Sequence, residues 1–88
     1  MLRHSPIFLK KYQKLPLDLQ LKVDERIQLF LADRHHPLLK LHRLKGSLQH
    51  TLSINVTGDY RVWLVEQQEN DQHVITFINV GSHSQLYG

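Results

Sequence analysis

Partway along this chain the spacing of its apolar residues changes period. Leu19, Val23, Ile27, Phe30 and Leu31 recur every three or four positions, with Lys22, Asp24, Glu25 and Arg26 mostly between them. That is the stripe of an amphipathic helix. Further on, Leu52, Ile54 and Val56 alternate with Thr51, Ser53 and Asn55, the period of a half-buried strand. With 88 residues there is room for one modest core and not two. Helices come first and strands after, and the two must share that core.

The punctuation fits this division. Ser5-Pro6 reads as a helix N-cap followed by proline at the first helical position, where its missing N–H costs nothing. Phe8, Tyr12 and Leu15 then fall at helical spacing, predicting a helix to about Lys14, with residues 1 to 4 compatible with a short lead-in strand. Pro16 separates this helix from the next, and His35-His36-Pro37 ends the second. Gly46 marks a turn. After the first strand come a turn at Thr57-Gly58-Asp59, a strand from Tyr60 to Glu66, a polar hairpin loop from Gln67 to Gln72, and a third strand from His73 to Val80. Connections this short make the strands antiparallel neighbours. A sheet this small needs cover, so the helical hairpin packs on one face. The expectation is a single α+β domain over residues 1–88, with the other sheet face open and available for function.

Composition narrows the function classes. Apolar residues are 41% and charged residues 22% of the chain, which is ordinary for a soluble globular domain. Without cysteine there are no disulfides and no thiolate metal sites, in keeping with a reducing compartment. Neither a signal peptide nor an apolar run of the roughly 20 residues needed to span a bilayer is visible, so the chain reads as cytoplasmic and without a membrane partner. The formal charge of +3 is unevenly spread. No Asp or Glu falls from Arg34 to Gly58, where Arg34, Lys40, Arg43 and Lys45 are joined by His35, His36, His42 and His50. A block of one sign favours a polyanionic partner, although a solvated basic surface reads the same way.

His35, His36 and His42 raise the question of a metal, but adjacent helical histidines point apart and no acid or thiol lies nearby to complete a ligand set. No metal and no cofactor is expected. No serine sits in a nucleophile-elbow context, and paired carboxylates of the glycosidase kind have no candidates. Phosphate chemistry on RNA asks for less, because the ribose 2′-OH can attack its own neighbouring phosphate. The protein then has to align that phosphate, neutralise its growing charge and move two protons. Arg43, Lys45 and Arg61 suit the charge role. His42 and His83 suit the proton role, histidine having a reference pKa of about 6.5. Tyr87 adds a donor or a stacking surface. Alternation puts Arg61 and Trp63 on one face of their strand and Tyr60, Val62 and Leu64 on the other. Taken singly, Arg61 as a solvated strand residue and His83 as an unpartnered tail residue are the ordinary readings, and only their joint placement favours a site.

The stretches LHRLKGS, GDYRVWLV and FINVGSHSQLYG, in this order over nearly the whole chain, resemble the RelE/ParE superfamily of toxins from toxin–antitoxin pairs. The resemblance implies a RelE-like fold and a ribosome-dependent endoribonuclease that cuts messenger RNA. It sets Arg43 and Lys45 at two basic positions flanking the leucine before the turn glycine, and Arg61 at the arginine that stabilises the scissile phosphate. His83 falls where the RelE branch carries an arginine acting as acid, and Tyr87 on the tyrosine proposed to act on the 2′-OH. The YafQ-like branch is nearer at the end, with its own histidine at the position of His42, an Asp at Asp59, a tryptophan at Tyr60 and an aromatic at Tyr87. Catalysis is thus expected from His83, Tyr87, Arg61, His42 and Asp59. RNA contacts are expected from Arg43, Lys45, Lys40, His50 and Tyr60. Asn55 departs from the pattern, replacing a further histidine of that branch. The implied partners are a cognate antitoxin, held in a hetero-oligomer, and messenger RNA on the ribosome. Two other readings stay open: a ParE-like inhibitor of DNA gyrase that is not an enzyme, and a decayed toxin that only binds antitoxin.

Overall fold

The Ser5 hydroxyl accepts the Phe8 N–H at 3.0 Å, so the first helix starts where the sequence places it. In the computed structural model, which describes residues 1–87, β1 (Leu2–His4) leads into α1 (Pro6–Gln13) and α2 (Leu17–Ala32). A short 3-10 turn at Pro37–Leu39 precedes the two-residue β2 (His42–Arg43), and another at Gly46–Leu48 precedes β3 (Leu52–Asn55). The long hairpin of β4 (Tyr60–Glu69) and β5 (Gln72–Ser82) follows, and α3 (His83–Tyr87) closes the described chain.

These strands form one five-stranded sheet in the order β1-β5-β4-β3-β2. β1 runs parallel to β5, and all the other pairs are antiparallel. The helical hairpin covers one face, as expected. Phe8 of α1 and Val23, Ile27 and Phe30 of α2 are buried against Ile54, Val62, Leu64 and Phe77 of the sheet. Leu31, counted in the apolar stripe, is 40% exposed.

The sheet is larger than the alternation predicts, because two edge strands are too short to carry a period. The loop expected from Gln67 to Gln72 is mostly strand. β4 continues to Glu69, and the turn is only Asn70 and Asp71, at φ of 49° and 67°. Both residues tolerate the left-handed region that a two-residue hairpin of the primed type demands. β5 also runs on past Val80 to Ser82.

One irregularity bears on function. Trp63 pairs with Asn79 and Leu64 with Phe77, leaving Ile78 as an extra residue in β5. Such a bulge turns the strand locally. Phe77 and Val80 therefore both reach the core although three positions apart. The Ile78 carbonyl is satisfied by the Ser5 hydroxyl at 2.8 Å, so one serine both caps α1 and holds the bulge.

Candidate active site

Register defines the face away from the helices. His42 pairs with Ser53, Ser53 with Trp63 and Trp63 with Asn79, one row across four strands. The next row runs Asn55, Arg61, Gly81. The expected opposition of Arg61 and Trp63 to Val62 and Leu64 is observed, since Val62 and Leu64 are both fully buried among the helix-side core residues.

This face is not bare, which corrects the sequence reading. α3 lies over it, and Trp63 is only 6% exposed. The Tyr87 ring meets Trp63 edge-on at 5.2 Å, and the His83 ring sits 4.5 Å from Tyr87. Positions four apart on a helix share a face, which is why the final histidine and tyrosine end up side by side. His42, Arg43, Leu44 and Lys45 converge with Tyr87 around a groove of about 310 Å³. Four expected site residues thus share one opening, and a fifth, His83, lies against the tyrosine that lines it with its ring tilted by 33°.

The groove's histidine has a defined orientation. His42 Nδ1 lies 2.9 Å from the Lys40 carbonyl, which can only accept, so Nδ1 donates. In the neutral ring Nε2 then keeps the lone pair and is able to take a proton. Lys40 presents that carbonyl from the left-handed region, at φ 45°. Its expected RNA contact is accordingly joined by a backbone role in orienting His42. Arg43 also has structural work, its Nη1 donating to the Gln49 carbonyl at 3.1 Å across the intervening turn. Gly46 makes that turn at φ 69°, where a side chain would be strained.

Other expected residues are placed differently. Arg61 belongs to the right face by register, but its Nη1 folds back onto the carbonyls of Thr57, Gly58 and Tyr60 at 3.1–3.2 Å. Asp59 contributes through its backbone, its carbonyl accepting the His83 N–H at 2.9 Å. His50 is exposed in the turn before β3 and does not line the groove. Tyr60 lies on the opposite face, packed against the helix-side core, and lines a second groove with Lys11, Lys14 and Leu15. Strand alternation forces this: a neighbour of Arg61 cannot share its face.

The basic block is divided as well. Arg34 is drawn away to the other end of the molecule, where it is paired with Glu66 and lies over the Phe30 ring. His36 caps the first 3-10 turn, its Nδ1 accepting the Leu38 N–H at 3.1 Å. Among the described residues no three His, Asp or Glu side chains gather as a metal-binding group, and no helix is long and apolar enough to cross a membrane. The sequence reading gave no role to Trp63, although its place beside Arg61 on an alternating strand was the available signal.

No protein-family profile and no curated protein matches this sequence. Solved structures do match. YafQ from E. coli superposes with a TM-score of 0.79 at 19% identity, covering 100% of this chain and 98% of YafQ. A YoeB/ParE toxin from Agrobacterium tumefaciens gives 0.76 at 18% identity, over 93% of this chain and 97% of that one. A copper-bound mutant toxin from Helicobacter pylori gives 0.70 at 28% identity, over 97% and 96%. The fold is that of the RelE-like toxins. YafQ has also been solved in complex with DinJ as a toxin–antitoxin pair.

Proposed function

We propose that this protein is the toxin of a toxin–antitoxin pair and that it cuts messenger RNA on the ribosome. The observation that carries the reading is the groove where His42, Arg43, Lys45 and Tyr87 meet, with the centre of the His83 ring 4.5 Å from that of Tyr87. It provides positive charge for a phosphate and two imidazoles for proton transfer, which is what attack by a ribose 2′-OH requires.

In this mechanism the RNA backbone enters the groove with its phosphate against Arg43 and Lys45. His42 takes the 2′-OH proton at Nε2, the nitrogen left unprotonated by the bond to the Lys40 carbonyl. The 2′ oxygen attacks the adjacent phosphorus, and the bond to the ribose 5′ oxygen breaks. His83, in its protonated form, supplies the proton to that leaving oxygen. Tyr87 stacks on a base or assists that transfer. Arg61 reaches the phosphate only by leaving its three carbonyl partners, a rearrangement that substrate binding would drive. The products are a 2′,3′-cyclic phosphate and a 5′-hydroxyl end. A basic groove of this kind calls for an acidic partner when idle, and a cognate antitoxin would supply one.

The test is to induce the protein in cells and map the 5′ ends of cellular RNA by primer extension, with end-chemistry analysis of the products. New messenger RNA ends within coding regions, carrying 5′-hydroxyls, are the expected result. Growth arrest with intact RNA and blocked gyrase supercoiling would replace this reading with the ParE-like one.

A further inference from the structure

We propose that Ser82 and Gln85 are positioning residues, whose reciprocal hydrogen bonds hold His83 and Tyr87 in place over the sheet. The proposal rests on the reading that these two act on RNA. It begins from a difficulty: α3 has only five residues, and a helix that short has almost no stability of its own. Something outside the helix must hold it.

Two side chains do so. The Ser82 hydroxyl accepts the Gln85 backbone N–H at 3.2 Å, and Gln85 Oε1 accepts the Ser82 backbone N–H at 2.8 Å. This reciprocal pair is a capping box, with serine at the cap and glutamine three residues on. The His83 N–H is satisfied from elsewhere, by the Asp59 carbonyl at 2.9 Å. Three of the N–H groups that a helix start leaves without partners are therefore bonded, and one bond ties α3 to the turn beside Arg61.

Gly81 points to the same device. Its φ is not in the left-handed region, so backbone freedom does not explain a glycine there. Space does: a Cβ on Gly81 would lie 2.9 Å from Gln85 Oε1 and 3.4 Å from Gln85 Cβ. The glycine leaves room for the glutamine side chain to fold back onto Ser82. Residues 81, 82 and 85 thus form one unit, and none of the three needs to touch RNA. Their effect passes through His83, which follows the cap directly, and through Tyr87, four positions further along the same helix face.

The test compares Gln85→Ala, Gln85→Glu and Gly81→Ala with the parent chain. Single-turnover cleavage and affinity are measured on messenger-programmed ribosomes, and the ring-current-shifted NMR signals of His83 and Tyr87 are recorded on the free protein. Gln85→Ala should lower the maximal rate by about fivefold, the usual population effect of a lost cap, with affinity unchanged and the aromatic shifts moved toward random-coil positions. Gln85→Glu should restore both, because a carboxylate accepts the same Ser82 N–H. Gly81→Ala should match Gln85→Ala, and the two together should be no worse than either alone. Unmoved shifts and full rate in Gln85→Ala would overturn the proposal, as would a Gln85→Glu variant as impaired as the alanine. If the parent chain cuts no RNA, the proposed function fails, and the NMR comparison alone then decides whether the cap holds the helix.

Discussion

The two faces of the sheet are built on different principles. On the helix side the contacts are apolar and complete, with Leu39, Ile54, Val62, Leu64 and Phe77 all fully buried. On the other side the buried residues are Leu44, Trp63 and Val74 together with the polar Thr51 and Ser53, and the five-residue α3 reaches this face through the Tyr87–Trp63 contact. Two of their polar atoms, Ser53 Oγ and Trp63 Nε1, are buried there without a hydrogen-bond partner. Unpaired buried donors and acceptors are unfavourable and tend to be retained where a surface serves something other than stability. The helix-side face holds the protein together by apolar packing, while the other carries His42, His83 and Tyr87 beside these unpaired groups.

Substitutions on the two faces should therefore diverge. The largest effect belongs to the helix side. Phe77→Ala removes a fully buried ring and should destabilise the fold by about 3–5 kcal/mol in chemical denaturation. A loss below about 1 kcal/mol would mean that this face is not the main core.

Two serines sharpen the contrast. Ser5 is bonded on both sides, to the Phe8 N–H and the Ile78 carbonyl, so Ser5→Ala should cost about 1–2 kcal/mol. Ser53 is more deeply buried, but its hydroxyl has no partner, so Ser53→Ala should be neutral or stabilising by up to about 1 kcal/mol. Equal losses at the two positions would remove the distinction between the faces.

A smaller effect lies at the far end of the hairpin. The Arg34 guanidinium holds the Glu66 carboxyl below its ordinary range against an opposing effect of burial, and His73, whose Nε2 is 2.6 Å from Glu66 Oε2, adds to the lowering. A carboxylate with a depressed folded-state pKa stabilises above its unfolded value of about 4.5, and that contribution is lost as pH falls through the folded value. Glu66→Gln should thus cost about 1 kcal/mol at pH 7 and flatten the loss of stability below pH of about 4.5. Melts at several pH values check this, and parallel curves for the two proteins would contradict it.

Much of the fold was legible because long elements repeat their period. The α2 stripe, the Ser5 cap and the opposition of Arg61 and Trp63 to Val62 and Leu64 could all be read from spacing. The lead-in strand offered at residues 1 to 4 is observed as β1, but β2 was not legible, because two residues are too few to show alternation. The Asn70-Asp71 turn was missed because its polar flanks looked like loop, although asparagine and aspartate are the residues that accept a left-handed turn. At the site, the basic block announced Arg43 and Lys45 but not the loss of Arg34 to Glu66, a pairing across 32 positions that no local pattern encodes. Tyr60 was assigned by resemblance against its own alternation with Arg61, and the structure follows the alternation. The capping box was present as Ser82-x-x-Gln85, a readable signature on a segment too short to suggest a helix.

The central claim is that α3 serves chemistry more than stability, and His83→Ala tests it most directly. His83 is exposed, its backbone bond to Asp59 survives the change, and the Trp63–Tyr87 contact does not involve its ring. Truncation after Gly81 is less decisive, because it also removes the end of β5 and uncovers Trp63. Single-turnover cleavage on programmed ribosomes, measured beside a thermal melt, should show the rate falling by about a hundredfold to ten-thousandfold with the melting temperature within about 2 °C of the parent. A variant that melts early yet cuts at the parental rate would contradict the account.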